Sequence, residues 1–303
     1  MRADVSEVEP GVSADPRPTA TLQSAFPLSL PRHPLLRWIK LAAGEGLARW
    51  LPERTRRLLS TDDYERYTQV DRFILAALGQ RALLGNRYEE LQRIHHKFWK
   101  TGIGAALMAQ QDWRLEHLFL AHHQGFVAPF ASAIERAGCR QLLEIGCGTG
   151  DILQYLLQQL PSLDQACGID LNAQLIAHCQ SRWQDPRLSF VCGDGIATLK
   201  ALGSPPMALL SYGGVLEYFL EDDLLGLFTW LAHQARPCVV GCVEPVDDRL
   251  QSGAGAPSRP YGAELSFSHD YEHLLRKAGF TIRFVEDAVA GTQRFVMVVA
   301  EAL

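Results

Sequence analysis

Short apolar runs separated by helical patterns fill the second half of the chain. The runs that predict strands lie at about 140–145, 166–170, 188–192, 207–212, 238–243, 280–286 and 294–300. Helical patterns separate the first five, and strands that alternate with helices form a parallel sheet through right-handed crossovers. The last two runs are joined by a short connection, so they must pair as an antiparallel hairpin. The pattern predicts an α/β fold with a doubly wound seven-stranded sheet, five strands parallel and a C-terminal antiparallel hairpin.

The N-terminal part of the chain has a different character. Residues 1–34 are rich in Pro, Ser, Ala and charge, which predicts a disordered leader. Residues 35 to about 137 show apolar positions at helical spacing and no strand alternation. We therefore expect a leader (1–34), an all-helical cap or substrate region (35–124) and an α/β domain (125–303).

Composition narrows the class of protein. Hydrophobic residues make up 47% and charged residues 21% of the 303 residues, so a packed globular core is expected. A net charge of -5 argues against general nucleic-acid binding, which usually needs a basic face. Seven scattered cysteines predict reduced, packed thiols and a cytoplasmic setting. No apolar run approaches membrane-spanning length, so no membrane partner is expected.

Three histidines of the helical region are candidate metal ligands. His95 and His96 are adjacent, and His117 follows some way along the chain. Adjacent residues on a helix point about 100° apart. The sequence therefore predicts no metal site.

A glycine-rich turn follows the first predicted strand. An apolar predicted strand contains an acidic residue near its end, and glycine then occupies every second position of the loop that follows. The run is Leu142, Leu143, Glu144, Ile145, Gly146, Cys147, Gly148, Thr149 and Gly150. Glycine permits unusual dihedrals and lets a ligand approach the backbone, and the next helix turns its N-terminal amides toward a carboxylate. A dinucleotide fingerprint would need glycine at position 151. The chain has Asp151 there, which would oppose a pyrophosphate.

A second acidic residue ends the next predicted strand. Asp170, followed by Leu171, lies about twenty residues beyond the glycine loop, where a carboxylate can accept both ribose hydroxyls of a nucleoside. Together with the glycine loop, this arrangement resembles class I S-adenosylmethionine (SAM)-dependent methyltransferases of the small-molecule type. The resemblance covers about residues 125–303 and implies SAM as the cofactor. Glu144 would then hold the ammonium of the ligand, directly or through water.

The family pattern extends to the next two strands. It implies that Asp194 accepts from the adenine amino group, with Ile196 against the ring. The segment after the fourth strand resembles the "leu-glu-his" segment of small-molecule methyltransferases, with Tyr218 in place of histidine. The residues predicted to bind the cofactor are Glu144, Gly146, Cys147, Gly148, Gly150, Asp170, Leu171, Asp194, Gly195, Ile196, Ser211 and Gly213.

Methyl transfer is a direct displacement, for which alignment of nucleophile, methyl and sulfur supplies most of the catalysis. A base is needed only when the acceptor must lose a proton. His122 and His123, just before the first strand, and Glu217 and Tyr218, after the fourth, are the candidate catalytic groups.

The sequence thus predicts a SAM-dependent methyltransferase that acts on an O or N atom of a small molecule in secondary-metabolite or cofactor biosynthesis. A protein or RNA methyltransferase, and a non-catalytic SAM-binding partner subunit, stay open as alternatives. So does a homodimer formed through the N-terminal helices. The acceptor itself is not fixed by the sequence.

Overall fold

The computed structural model describes residues 26–31, 33–60, 67–109 and 113–303. Residues 1–25 and 32 of the predicted leader lie outside this range. The described helices of the cap are α1 (Pro34–Trp50), α2 (Pro52–Ser60), α3 (Gln69–Leu84), α4 (Tyr88–Lys100) and α5 (Gly102–Ala109). A π-helix (Arg114–His123) and a 3-10 turn (Gln124–Phe126) then lead directly into α6 (Val127–Ala137). The domain boundary at 124/125 stays a prediction.

A seven-stranded sheet forms the centre of the α/β part. Its strands are β1 (Gln141–Ile145), β2 (Gln165–Asp170), β3 (Leu188–Cys192), β4 (Met207–Tyr212), β5 (Cys238–Val246), β8 (Thr281–Ala290) and β9 (Gln293–Ala302). The strand order is β3-β2-β1-β4-β5-β9-β8, and β9 runs antiparallel to both β5 and β8. The predicted fold class, five parallel strands closed by an antiparallel hairpin, is confirmed.

Helices cover both faces of this sheet. On one face lie α6, α7 (Asp151–Gln159) and α8 (Ala173–Arg182); on the other lie α9 (Gly195–Leu202), α10 (Glu221–Gln234) and α11 (Tyr271–Ala278). Because successive strand residues point to opposite faces, Leu142 packs in the first layer and Leu143 in the second. No helix in the described ranges is both long and apolar enough to cross a bilayer.

The cap has a core of its own that reaches into the predicted leader. Phe26 and Leu28 are 2% and 1% exposed and pack with Ile74, Leu91 and Phe98. Residues 26–28 therefore pack against α3 and α4, and burying two large side chains offsets the cost of ordering them. The disordered leader over residues 1–34 stays a prediction.

The long loop after β5 contains a feature that the sequence did not predict. Two three-residue strands, β6 (Arg259–Tyr261) and β7 (Ser266–Ser268), form a separate antiparallel hairpin. Its turn includes Leu265 in the left-handed region, with φ of 56°. The hairpin brings residues 261–264 and Ser266 to the edge of the sheet where β4 and β5 end.

Candidate active site

A cavity of about 250 Å³ opens at the carboxyl edge of the sheet. The turns after β1, β2 and β3 line one half of it. The segment after β4, the end of β5, the start of β9 and the β6–β7 hairpin line the other half. Helix α4 contributes a further wall through His96 and Trp99. The strand order reverses between β1 and β4, and open α/β sheets bind ligands at such a switch point.

The glycine loop has the geometry that its composition predicts. Gly146, Gly148 and Gly150 have φ of 71°, 54° and 76°, in the left-handed region that glycine tolerates. A Cβ on Gly146 would lie 2.4 Å from a methyl carbon of Val215, so the β1 and β4 turns pack too tightly for a side chain. Helix α7 begins directly after the loop.

Glu144 lies beneath this loop, in a smaller cavity that Cys147 also lines. The carboxyl is 2% exposed, and its Oε2 atom has no hydrogen-bond partner in the described structure. Burial raises the pKa of Glu144 well above its usual value, and the nearby Arg114 guanidinium acts in the opposite direction. A buried oxygen without a partner at this position suits a cationic or hydrogen-bond-donating ligand.

Arg114, the first residue of the π-helix, is a component of the site that the sequence did not reveal. It lines both cavities, and its Nη2 atom donates to the carbonyl oxygens of Tyr212 (3.1 Å) and Gly213 (3.2 Å). Its guanidinium also lies 5.5 Å from the centre of the Tyr212 ring. π-helical turns are frequent at functional sites. This one places a cation where β1 and β4 end.

Asp170 faces the main cavity together with Leu171. Its two oxygens accept from the backbone N–H of Gly148 (3.0 Å) and of Asn172 (2.9 Å). Burial nevertheless raises the pKa of Asp170. The carboxylate thus fixes the glycine loop to the end of β2 and keeps lone pairs for a ligand.

The turn after β3 lies at the end of the same half. Gly193 and Gly195 line the cavity, whereas Ile196 packs against the core below the sheet. Asp194 is exposed, and its carboxylate accepts from the N–H of Ala197 (2.9 Å) as the N-cap of α9. Its interaction with the adenine amino group stays a prediction.

A buried glutamate organises the turn after β4. Glu244, on β5, accepts from the Ser211 hydroxyl (2.6 Å) and from the N–H groups of Val215 (3.0 Å) and Leu216 (3.2 Å). Burial raises the pKa of Glu244 to about 7. Of the two predicted cofactor-binding residues of this turn, Ser211 points at Glu244 and Gly213 lines the cavity.

The other half of the cavity combines carboxyl groups, phenols and rings. Glu217, on the 3-10 turn Leu216–Tyr218, accepts from the Tyr261 hydroxyl (2.9 Å), and Tyr218 donates its hydroxyl to Glu264 (3.0 Å). Burial and the Glu264 carboxylate raise the pKa of Glu217 to about 8. All four side chains line the cavity.

The two histidine candidates lie elsewhere. His123 is buried beneath the sheet edge, with Nδ1 3.0 Å from the Tyr212 hydroxyl and its ring against Phe295. Burial lowers the pKa of His123 to about 4, so the ring is neutral at pH 7. His122 is exposed, and neither histidine is among the cavity residues. Of the four candidate catalytic residues, the structure brings Glu217 and Tyr218 to the cavity.

Comparison with known proteins agrees with this geometry. Residues 142–237 match a family model described as a methyltransferase domain. The chain is 28% identical over 139 residues to phthiotriol/phenolphthiotriol dimycocerosates methyltransferase 1 of Mycobacterium ulcerans (strain Agy99), and the match covers 40% of this chain and 47% of that protein. The chain thus spans about half the length of the curated relative that it matches.

Solved structures resemble the chain at low sequence identity. Magnesium protoporphyrin IX methyltransferase from Synechocystis PCC 6803, solved with bound SAM, is 14% identical with a TM-score of 0.47, over 70% of this chain and 97% of that one. A SAM-dependent methyltransferase from Aquifex aeolicus is 15% identical with a TM-score of 0.43, over 66% and 98%.

Proposed function

We propose that this chain, which carries a class I SAM-dependent methyltransferase domain, transfers the methyl group of SAM to an oxygen or nitrogen atom of a small molecule. The acceptor would belong to secondary-metabolite or cofactor biosynthesis. The observation that carries the proposal is the cavity at the switch point, which joins the glycine loop and Asp170 to a separate, partly aromatic compartment.

The residues of the first half fit the cofactor. Asp170 would accept the ribose hydroxyls, and the orphaned Oε2 of Glu144 suits the ammonium of the methionine part. Arg114 would pair with its carboxylate, and the left-handed glycines leave room for close approach. When bound, SAM supplies a methyl group activated by a sulfonium.

The second half fits a compact acceptor. Trp99 and His96 of α4 close it from the cap, and residues 261–264 and Ser266 of the hairpin close it from the side of β5. These walls orient the acceptor atom toward the turn at Gly213 and exclude water, and alignment of this kind supplies most of the acceleration of a displacement. Glu217 and Tyr218 line this half, and Glu217 would receive a proton there.

Native mass spectrometry of the full chain tests the proposal most directly. We expect SAM or S-adenosylhomocysteine to be retained or to bind on addition, and a labelled methyl group to pass to compounds in a screen of small hydroxyl and amine acceptors. A folded protein with no measurable affinity for either nucleoside would overturn it. Binding of SAM without transfer to any acceptor, small or macromolecular, would favour a non-catalytic subunit instead.

A further inference from the structure

The acceptor half of the cavity holds two carboxyl groups that no protein cation neutralises. Glu217 is 7% exposed, and Glu264 is partly buried in the turn of the β6–β7 hairpin. Each accepts a phenol hydroxyl, from Tyr261 and Tyr218 respectively. Within the described part of the chain, neither carboxyl takes part in an ion pair.

The charges that line the cavity are unequally divided. The carboxyl-bearing side chains are Asp170, Glu217 and Glu264, and the lining guanidinium is that of Arg114. Arg114 hydrogen-bonds the carbonyl oxygens of Tyr212 and Gly213, beside Glu144 and the glycine loop. The positive charge is thus held at the cofactor end, and the acceptor end is acidic.

The acidic end also presents aromatic surface. The rings of Trp99 and Tyr218 lie 5.6 Å apart, centre to centre, and both line the cavity. Phe219 and Phe295 add apolar wall. Ring faces attract cations, and the attraction is larger when the cation is shielded from water.

We propose, on the basis of the proposed function, that the methyl acceptor is a cationic amine with an aromatic or apolar body, whose ammonium group binds between Glu217 and Glu264. The ammonium supplies the positive charge that the two carboxylates lack, and the rings hold the body and the methylated product. The other acceptor classes fit less well. A carboxylate acceptor would be repelled by whichever carboxyl is ionised, and a neutral alcohol supplies no charge to stabilise the ionised forms of Glu217 and Glu264 against burial.

Glu217 then acts as the base. The ammonium N–H proton passes to the Glu217 carboxylate, which frees the lone pair on nitrogen. That lone pair forms the new N–CH3 bond while the S–CH3 bond breaks. The electron pair of the broken S–CH3 bond stays on sulfur, which gives S-adenosylhomocysteine. The product leaves as a methylated ammonium, and Glu217 returns its proton to solvent. Burial and the Glu264 carboxylate raise the pKa of Glu217 to about 8, which brings the base closer to the pKa of an amine.

The test measures binding to the full chain loaded with S-adenosylhomocysteine, by calorimetry with matched probes. Tryptamine and 2-phenylethylamine are compared with tryptophol and 2-phenylethanol, which carry the same bodies, and with 3-phenylpropanoate. We expect each amine to bind at least ten-fold more tightly than its alcohol, and labelled methyl from SAM to enter the amines. Amines that bind no better than their alcohols would overturn the proposal.

Two variants and a control separate charge recognition from folding. Glu217→Gln and Glu264→Gln should remove most of the amine preference while SAM affinity stays within about two-fold, which also reports that the variants are folded. Asp222→Asn removes an exposed carboxylate of α10 and should change neither. A preserved amine preference in both glutamine variants would contradict the assignment. If the unmodified, folded chain does not bind SAM at all, that result would instead refute the proposed function itself.

Discussion

Replacing Asp170 with asparagine tests the cofactor site with the smallest change in shape. The carboxylate accepts from the N–H groups of Gly148 and Asn172 with its two oxygens. An amide keeps one oxygen and puts an NH2 group in place of the other. One backbone N–H then faces a donor, and in the proposed binding mode the ribose hydroxyls of SAM would lose an ionised acceptor.

These losses set the expected change in the free energy of SAM binding. An ordinary hydrogen bond contributes about 0.5–1.5 kcal/mol and one to a charged group about 1.5–3 kcal/mol. We therefore expect Asp170→Asn to weaken SAM binding by about 1–3 kcal/mol, a factor of about 5 to 150 in Kd.

The stability of the unliganded protein should respond differently. Burial raises the pKa of Asp170 above its value in the unfolded chain, so the ionised form is disfavoured in the folded state at neutral pH. Asparagine removes that cost and loses one backbone hydrogen bond. The two effects oppose each other, and we expect the free energy of unfolding to change by no more than about 1 kcal/mol.

Isothermal calorimetry of SAM binding and urea unfolding at pH 7 measure the two quantities on the same samples. Asp164→Asn is the matched control, since Asp164 is an exposed carboxylate at the opposite edge of the sheet, paired with Arg140. A folded Asp170→Asn protein that binds SAM within two-fold of the unmodified chain would refute the ribose assignment.

Three further predictions follow from the neighbouring residues. Glu244→Gln should flatten the pH dependence of the free energy of unfolding. Because the folded pKa of Glu244 is about 7, its contribution of up to about 3 kcal/mol is present at low pH and is lost as pH rises from about 4.5 to 7. Urea unfolding at pH 5 and pH 7.5 measures this, and a difference between the two pH values that equals that of the unmodified chain would contradict it. Arg114→Met should weaken SAM binding by about 1.5–3 kcal/mol through loss of the proposed charge-assisted contact with the SAM carboxylate. Calorimetry should show an unchanged affinity for decarboxylated SAM, which lacks that carboxylate. Equal losses for both ligands would show that Arg114 does not bind the carboxylate. Gly146→Ala should lower the free energy of unfolding by about 1–4 kcal/mol, since Gly146 has a φ of 71° and the new Cβ would meet Val215. Gly125→Ala serves as the control, because a Cβ there meets nothing within 4 Å.

That the glycine loop and Asp170 meet at one cavity was predictable, because both lie at strand ends that are close in sequence; their binding of the cofactor stays a prediction. The glycine loop lies between one strand and one helix, and Asp170 ends the next strand, so strand ends and turn residues locate that cavity without tertiary information. The cap of α8 was predictable for the same reason, since Asn172 accepts from the N–H groups of Gln174 and Leu175.

Residues that reach the site over long distances gave weaker signals. Arg114 contacts the carbonyl oxygen of Tyr212, 98 positions later, from a π-helix that ordinary helical spacing does not describe. Glu264 arrives on a hairpin whose strands have three residues each, too short for a period of two to be detected. Glu244 did leave a signal, because a carboxylate inside an apolar strand needs partners.

Sequence proximity does not tell where the two candidate histidines point. His122 and His123 precede the first strand closely, yet the helix turns one toward solvent and the other toward Tyr212 and Phe295. Adjacent helical residues diverge by about 100°, or slightly less in a π-helix. At most one of the two could face any given site, and the face that each takes is decided by packing on β9.

Asn172 joins the cap to the α/β part of the chain beside the cavity. Asn172 follows Asp170 by two positions, and its side-chain oxygen caps α8. Its amide nitrogen donates to the carbonyl oxygens of Trp99 (2.8 Å) and Thr101 (2.9 Å) at the end of α4. The wall of the acceptor half is therefore fixed to the same turn whose backbone N–H holds the Asp170 carboxylate. A substitution at Asn172 should therefore disturb both the turn that holds Asp170 and the Trp99 wall.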